Sequence, residues 1–237
     1  MADWSGLYHD LLVLIARSIA SYEYFIAFGR VCKSWRFAFK QSITRKWASQ
    51  IPYLMLAEKE GSDLRGFFSL SKGMTRLVSL PQANGKKCFS SQGWLITIEK
   101  NLKINLLHPF LQIQKELPDM KTLLYGDLWF SEHDPFLFAK IFDNFVLSAS
   151  PSRTSDYIVM AIYDSLSKLA FCQPRDKSWT IIRTFQTCFF DVIYHNNKFY
   201  TIDVWGKVFA CDIGGPNPRL KDPVTTLPRE LAPRVIY

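Results

Sequence analysis

The sequence predicts an α+β chain, with a small all-α unit over residues 1–50 followed by an all-β domain over 51–237. Apolar residues recur at three and four positions as far as Trp47. After Pro52, short β-branched and aromatic runs are separated by Gly, Asn, Asp and Pro. A third observation sets the scale. The 237 residues are 48% hydrophobic and include 7 Trp, 10 Tyr and 19 Phe, which a disordered chain would not carry. A chain of this size buries roughly 70% of its unfolded surface, so its core needs no disulfide or metal.

In chain order, Leu7, Leu11, Leu12, Leu14, Ile15 and Ile19 lie along one side of a first helix. Ser21 is placed to cap a second helix, with Glu23 in its first turn. The stripe Phe25, Phe28, Cys32, Trp35, Phe39, Ile43, Trp47 continues the helical spacing, and no Gly or Pro interrupts 30–50. Beyond Pro52 the expected strands are Gly66–Leu70, Met74–Leu80, Trp94–Ile98, Leu102–Leu107, Phe145–Ser150, Tyr157–Tyr163, Leu169–Gln173, Trp179–Thr184, Phe190–His195, Phe199–Val204 and Val208–Asp212. Turn signals between them include Lys100-Asn101, Asp164-Ser165, Pro174 to Lys177, Asn196-Asn197 and Trp205-Gly206. No helix is expected there. Strands at this spacing fit a sandwich, a barrel or a propeller. Two strand–turn–strand segments, from Trp94 and from Phe199, start 105 residues apart, as two blades of roughly 50 residues each would.

Composition narrows the function classes. The longest apolar run near the N-terminus, Leu11 to Ala16, is too short to span a bilayer, and Met1 to Trp4 lacks the basic start of a signal peptide. The five cysteines (Cys32, Cys88, Cys172, Cys188, Cys211) form no C-x-x-C pair, and no Asn lies in a glycosylation sequon. The chain therefore reads as intracellular, nuclear or cytosolic, without membrane contact. Its net charge of +8 raises nucleic acid as a partner, but the surplus is spread without a basic block. The four histidines are scattered, and no P-loop, G-x-S-x-G, dinucleotide fingerprint or H-E-x-x-H occurs. Glu132-His133-Asp134 is the one cluster that suggests a metal, and it lies in a turn-like stretch. No catalytic residue, cofactor or metal is expected.

The helical unit resembles an F-box. The resemblance is carried by Trp4, Leu7, Asp10-Leu11-Leu12, Leu14-Ile15, Phe28 and the run Val31-Cys32-Lys33-Ser34-Trp35-Arg36. The β region is similar to the KIB-type, kelch-like propeller that follows the F-box in a plant family. Its matching stretches are Gly93-Trp94-Leu95, His108-Pro109, Leu169 to Cys172 with Asp176 to Thr180, Asp191 to Tyr200, and Cys211-Asp212-Ile213. The resemblance implies three N-terminal helices and a propeller of antiparallel four-stranded blades. The family propeller continues beyond the equivalent of Tyr237, so an incomplete one is expected. Tyr8 stands where F-boxes usually have Pro.

By that resemblance the chain is a non-catalytic, substrate-recognition subunit of a Skp–cullin–F-box ubiquitin ligase, acting in protein degradation. Its F-box would dock on the Skp adaptor and its β domain would hold the protein to be ubiquitinated. The adaptor surface or its support is assigned to Leu7, Leu11, Leu12, Ile15, Phe28, Val31 and Trp35, about half of them core, Trp35 and Val31 foremost. Arg30, Lys33, Arg36 and Lys40 are placed to steer an acidic adaptor. Trp129, Trp179 and Trp205 are assigned to core packing ahead of a substrate patch. Two other readings stay open. One is a helix-turn-helix nucleic-acid-binding protein with Arg30 to Lys40 on phosphate, and the other is a non-ligase propeller scaffold.

Overall fold

The computed structural model describes residues 4–19, 22–42, 53–123, 142–163, 168–184, 188–215, 217–221 and 223–226. The chain divides into two compact units, one of Met1–Pro81 with His108–Ile113 and one of Gln82–Leu107 with Gln114–Tyr237.

In the first unit, α1 runs His9–Ser18, α2 Tyr22–Phe28 and α3 Lys33–Gln41. Asp10 in the first turn of α1 and Arg17 in its last complement the helix dipole. The apolar stripe does not form one long helix. It breaks at Gly29–Cys32, where Arg30 N bonds Ala27 O and Val31 N bonds Phe28 O in a turn. Gly29 is needed there, because a Cβ would lie 2.6 Å from the Phe39 ring. Leu12, Ala16, Phe25, Ile26, Phe28, Ala38 and Phe39 form the helical core, with Leu7, Val13, Ile19, Trp35, Phe110 and Leu111 packed against it. Phe25 meets Phe39 at 4.6 Å between ring centroids, and Phe28 meets Trp35 at 4.5 Å. The buried Ser42 hydroxyl reaches Val13 O, closing the end of α3 onto α1. Ser21, Ile43 and Trp47, and the side chain of Glu23, lie outside the described residues. The same unit holds a three-stranded antiparallel sheet of β1 (Tyr53–Met55), β2 (Leu64–Ser69) and β3 (Met74–Ser79). Its Phe67 packs on Phe110 at 5.0 Å.

The remaining sheets are antiparallel meanders, in which each strand pairs with the next in sequence, as in propeller blades. The first is β4 (Lys87–Ser91), β5 (Trp94–Ile98), β6 (Ile104–His108) and β7 (Ile113–Glu116). The second is β8 (Phe142–Leu147), β9 (Val159–Tyr163), β10 (Lys168–Cys172) and β11 (Thr180–Ile181). The third is β12 (Phe189–His195), β13 (Lys198–Asp203), β14 (Lys207–Asp212) and β15 (Arg219–Leu220), with β16 (Thr225–Thr226) also on β14. We call these blades 2, 3 and 4, and the sheet β1–β3 blade 1. The two segments matched 105 residues apart are the β5–β6 and β13–β14 hairpins, the middle pairs of blades 2 and 4. Strands β4 and β8 lie side by side, as do β8 and β12, so the first strands of blades 2, 3 and 4 are neighbours in that order.

Tight turns fall where the sequence marks them. Asn196 and Asn197 both take positive φ (45° and 60°), the conformation a two-residue hairpin turn requires, and Gly206 takes 77°. The turn expected at Asp164-Ser165 lies outside the described residues. Past Pro52 the described residues contain only two 3-10 turns, Pro81–Ala83 and Met120–Thr122, and no α-helix. The sequence reading missed β1, β4, β7, β15 and β16. In blades 2 and 3 the middle strands do not alternate. Trp94–Ile98 and Val159–Tyr163 are buried at every position, because both faces of their sheets are covered.

Two tryptophans tie blade 2 to blade 3. Trp94 Nε1 donates to Ser152 Oγ at 3.1 Å, and Trp179 Nε1 donates to Pro118 O at 2.9 Å. Between them the Lys115 ammonium stands over the Trp94 and Tyr157 rings (5.5 and 5.3 Å) and donates to Pro151 O. Burial pushes the Lys115 pKa down. Blades 3 and 4 share a core of Met160, Ile162, Leu169, Phe171, Ile182, Phe189, Val192, Phe199, Cys211 and Leu220, and Asn144 Nδ2 donates to Asp191 Oδ1 at 2.6 Å.

Candidate functional site

Helix α1 is apolar on two sides. Leu12 and Ala16, one turn apart, are buried in the helical core. Leu11, Leu14 and Ile15, spaced for a second side of the helix, face outward and are 46%, 60% and 39% exposed. A helix whose apolar residues served only its own core would carry polar residues on that side. Trp4, Tyr8, Tyr24, Val31 and Phe37 are also exposed in the same unit.

The seven residues assigned to the adaptor surface separate into three groups. Leu12 and Phe28 are core, Leu7 and Trp35 are half-buried on its edge, and Leu11, Ile15 and Val31 are exposed. Trp35 is fixed by its ring against Phe28 and by Nε1 donating to Trp4 O at 3.0 Å. The expectation that Val31 is core is corrected. It sits in the α2–α3 turn, whose backbone turns the side chain out, and is 58% exposed. The sequence reading left Tyr8, Tyr24 and Phe37 out of the site, because each falls off the core-facing stripe. Phe37 lies 5.1 Å from the His9 ring, and His9 Nε2 donates to Gln41 Oε1 at 2.6 Å. Arg30, Lys33, Arg36 and Lys40 are all exposed, Arg30 in the α2–α3 turn and the others on α3.

In the β region Trp179 is core, whereas Trp205 is 72% exposed. The buried Asp203 carboxylate accepts from both Trp205 N and Lys207 N, at 2.9 and 2.8 Å, so this indole stands on a fixed turn. Trp129 and Glu132-His133-Asp134 lie outside the described residues. Among the described residues no group of three or more His, Cys, Asp and Glu is placed to hold a metal, and no helix is long and apolar enough to cross a membrane. Cys211 is buried and its thiol is pushed up to about 12, and burial raises Cys172 further. Neither is a nucleophile at neutral pH.

The family model described as KIB1-4 beta-propeller matches residues 67–235. An Arabidopsis thaliana protein provisionally named F-box protein At5g55150 is 24% identical over 233 residues, covering 96% of this chain and 61% of the relative. F-box protein SKIP23 of Arabidopsis thaliana is 26% identical, over 90% of this chain and 56% of its own length. F-box protein At1g10110 from the same plant is 26% identical, over 93% and 59%. The chain thus spans between half and two thirds of these relatives. Among solved structures, YCF48 from Cyanidioschyzon merolae superposes with a TM-score of 0.41 at 10% identity, over 68% of this chain and 56% of that one. That likeness is too distant to bear on fold or function. The blade-type sheets and the match over 67–235 agree, and the chain belongs to the KIB1-4 beta-propeller family.

Proposed function

We propose that this chain is a non-catalytic substrate-recognition subunit of a Skp–cullin–F-box ubiquitin ligase. Residues 1–50 are its F-box and 51–237 its target-binding domain, working in the nucleus or cytosol. The observation that carries the reading is the second apolar side of α1. Leu11, Leu14 and Ile15 gain nothing for the fold from exposure, and covering them with a partner is favourable by about 1 kcal/mol or more each. Leu12 and Phe28 then support the surface from beneath, Leu7 and Trp35 shape its edge, and Val31 extends it beyond α1. The exposed Arg30, Lys33, Arg36 and Lys40 favour an acidic adaptor through the association rate. The names of the F-box relatives support the same reading.

The test is co-purification of the full chain with a plant Skp adaptor. Leu11→Asp with Ile15→Asp is expected to abolish binding while the helical circular dichroism persists, since both side chains are already solvated. Retained binding in that variant would overturn the reading.

A further inference from the structure

We propose that the outward side of α3 is a binding site for single-stranded RNA. The proposal goes beyond the adaptor reading and does not depend on it.

Helix α3 has two different sides. Ala38, Phe39 and the half-buried Trp35 pack into the helical core. Lys33, Ser34, Arg36, Phe37, Lys40 and Gln41 are exposed. Side chains three and four positions apart on a helix are neighbours. Phe37 therefore stands at the centre of the outward side, with Lys33 and Ser34 one turn before it and Lys40 and Gln41 one turn after. Arg36 flanks this group, and Arg30 is exposed in the turn that leads into α3. The Phe37 ring is backed by the His9 ring of α1 at 5.1 Å, and Gln41 holds His9 in place.

The charge on this side is uncompensated. Between Tyr24 and Ala57 the sequence has Arg30, Lys33, Arg36, Lys40, Arg45 and Lys46 and no acidic residue. Arg45 and Lys46 lie outside the described residues. Arg30, Lys33, Arg36 and Lys40 form no ion pair with any described residue. On α1, Asp10 is spaced to lie away from the core that α3 shares. Like charges three and four positions apart on a helix repel, and a face that met only water would be better served by both signs. Unpaired cations around a fixed, exposed ring suit phosphates and unpaired bases together.

Three features select a single RNA strand among polyanions. Bases in a duplex are already stacked on one another, so Phe37 would have no base to receive. An acidic peptide would neutralise the cations and leave the ring in water. Ser34 and Gln41, beside the ring, are uncharged hydrogen-bonding groups suited to the ribose 2′-hydroxyl that DNA lacks.

The test is fluorescence anisotropy of an end-labelled uridine oligonucleotide of about 12 nucleotides, titrated with the full 237-residue chain. No Skp adaptor is present in the mixture, so the outcome is separate from that of the adaptor reading. A dissociation constant of about 10–100 µM is expected at about 50 mM salt, with a log–log salt slope of about −2 to −3. Lys33→Glu with Lys40→Glu should weaken binding about tenfold or more. Phe37→Ala should weaken it about fivefold or more and leave the salt slope unchanged. All three side chains are solvated, so both variants keep the helical circular dichroism. Lys100→Glu with Lys198→Glu, the same charge change at exposed positions in blades 2 and 4, should shift the affinity by less than about twofold. No binding up to about 200 µM chain, or equal weakening by that control pair, would overturn the proposal. So would full binding by Phe37→Ala, or tighter binding of the matching duplex or of the matching deoxythymidine strand. Displacement of the RNA by an equal concentration of a glutamate peptide of the same length would assign the site to acidic protein segments and overturn it as well.

Discussion

Tyr8 precedes α1 with φ −58° and ψ 138°, inside the range that a proline ring fixes. The substitution away from the usual F-box proline therefore leaves the backbone unchanged and loses only the restriction on the unfolded chain. Tyr8→Pro is predicted to stabilise the protein by about 0.5 kcal/mol, read as a shift in urea midpoint. His108 makes the opposite kind of contribution. It is half-buried, Leu111 N donates to its Nδ1 at 3.2 Å, and burial pushes its pKa down to about 4. The unfolded chain takes up this proton near pH 6.5, while the folded one resists until about 4. Below the unfolded value the unfolded state binds more protons, so stability present above pH 6.5 is lost as pH falls toward 4. The loss is on the order of 2–3 kcal/mol, and His108→Gln should flatten the pH profile of the melting temperature across that window. Gly29 leaves no such latitude. A Cβ would overlap the Phe39 ring, and Gly29→Ala is expected to cost about 1–3 kcal/mol, measured as a lower helical melting temperature.

At the scale of the element, α1 was the most legible part of the sequence. Spacing of three and four residues located the helix, but two apolar sides are superimposed in Leu11, Leu12, Leu14 and Ile15. Which side is core depends on α3, which the local sequence of α1 does not contain. Val31 was misplaced for a related reason. The Val-Cys-x-x-Trp-Arg order suggests packing around Trp35, yet Val31 belongs to the turn before α3, whereas Trp35 and Arg36 belong to the helix. The missed strands are defined by their partners. Lys87–Ser91 contains no β-branched residue and exists because it pairs along Trp94–Ile98, while β15 and β16 are two residues each and pair on β14. Between blades 2 and 3 the tryptophans act as crosslinks. Trp94→Phe and Trp179→Phe each lose one donor and shrink a buried ring, which should cost about 1–3 kcal/mol in urea unfolding. Trp179→Ala also opens a cavity and should cost about 3–5 kcal/mol.

For the whole molecule, the sequence separated helices from strands at Pro52, and its weak internal match found the blade period. The first strands of blades 2, 3 and 4 begin at Lys87, Phe142 and Phe189, 55 and 47 residues apart. The sequence left sandwich, barrel and propeller open, because that choice depends on which sheet faces meet, and no local pattern encodes it. The fate of the tryptophans was illegible for a similar reason. Trp179 and Trp205 are alike as sequence features, and only Asp203 beneath the second turn separates an anchored outward indole from a core one.

Apart from β16, which pairs on β14, strands that are neighbours in each described sheet are neighbours along the chain. Closing each hairpin therefore costs little loop entropy, and no strand must wait for a distant segment before it can pair. As the polypeptide leaves the ribosome, each blade can assemble once its own stretch of roughly 50 residues is free, offering a template to the next. A stalled or prematurely released chain would then carry finished blades at its start and one raw sheet surface at its growing end, the kind of surface that chaperones bind.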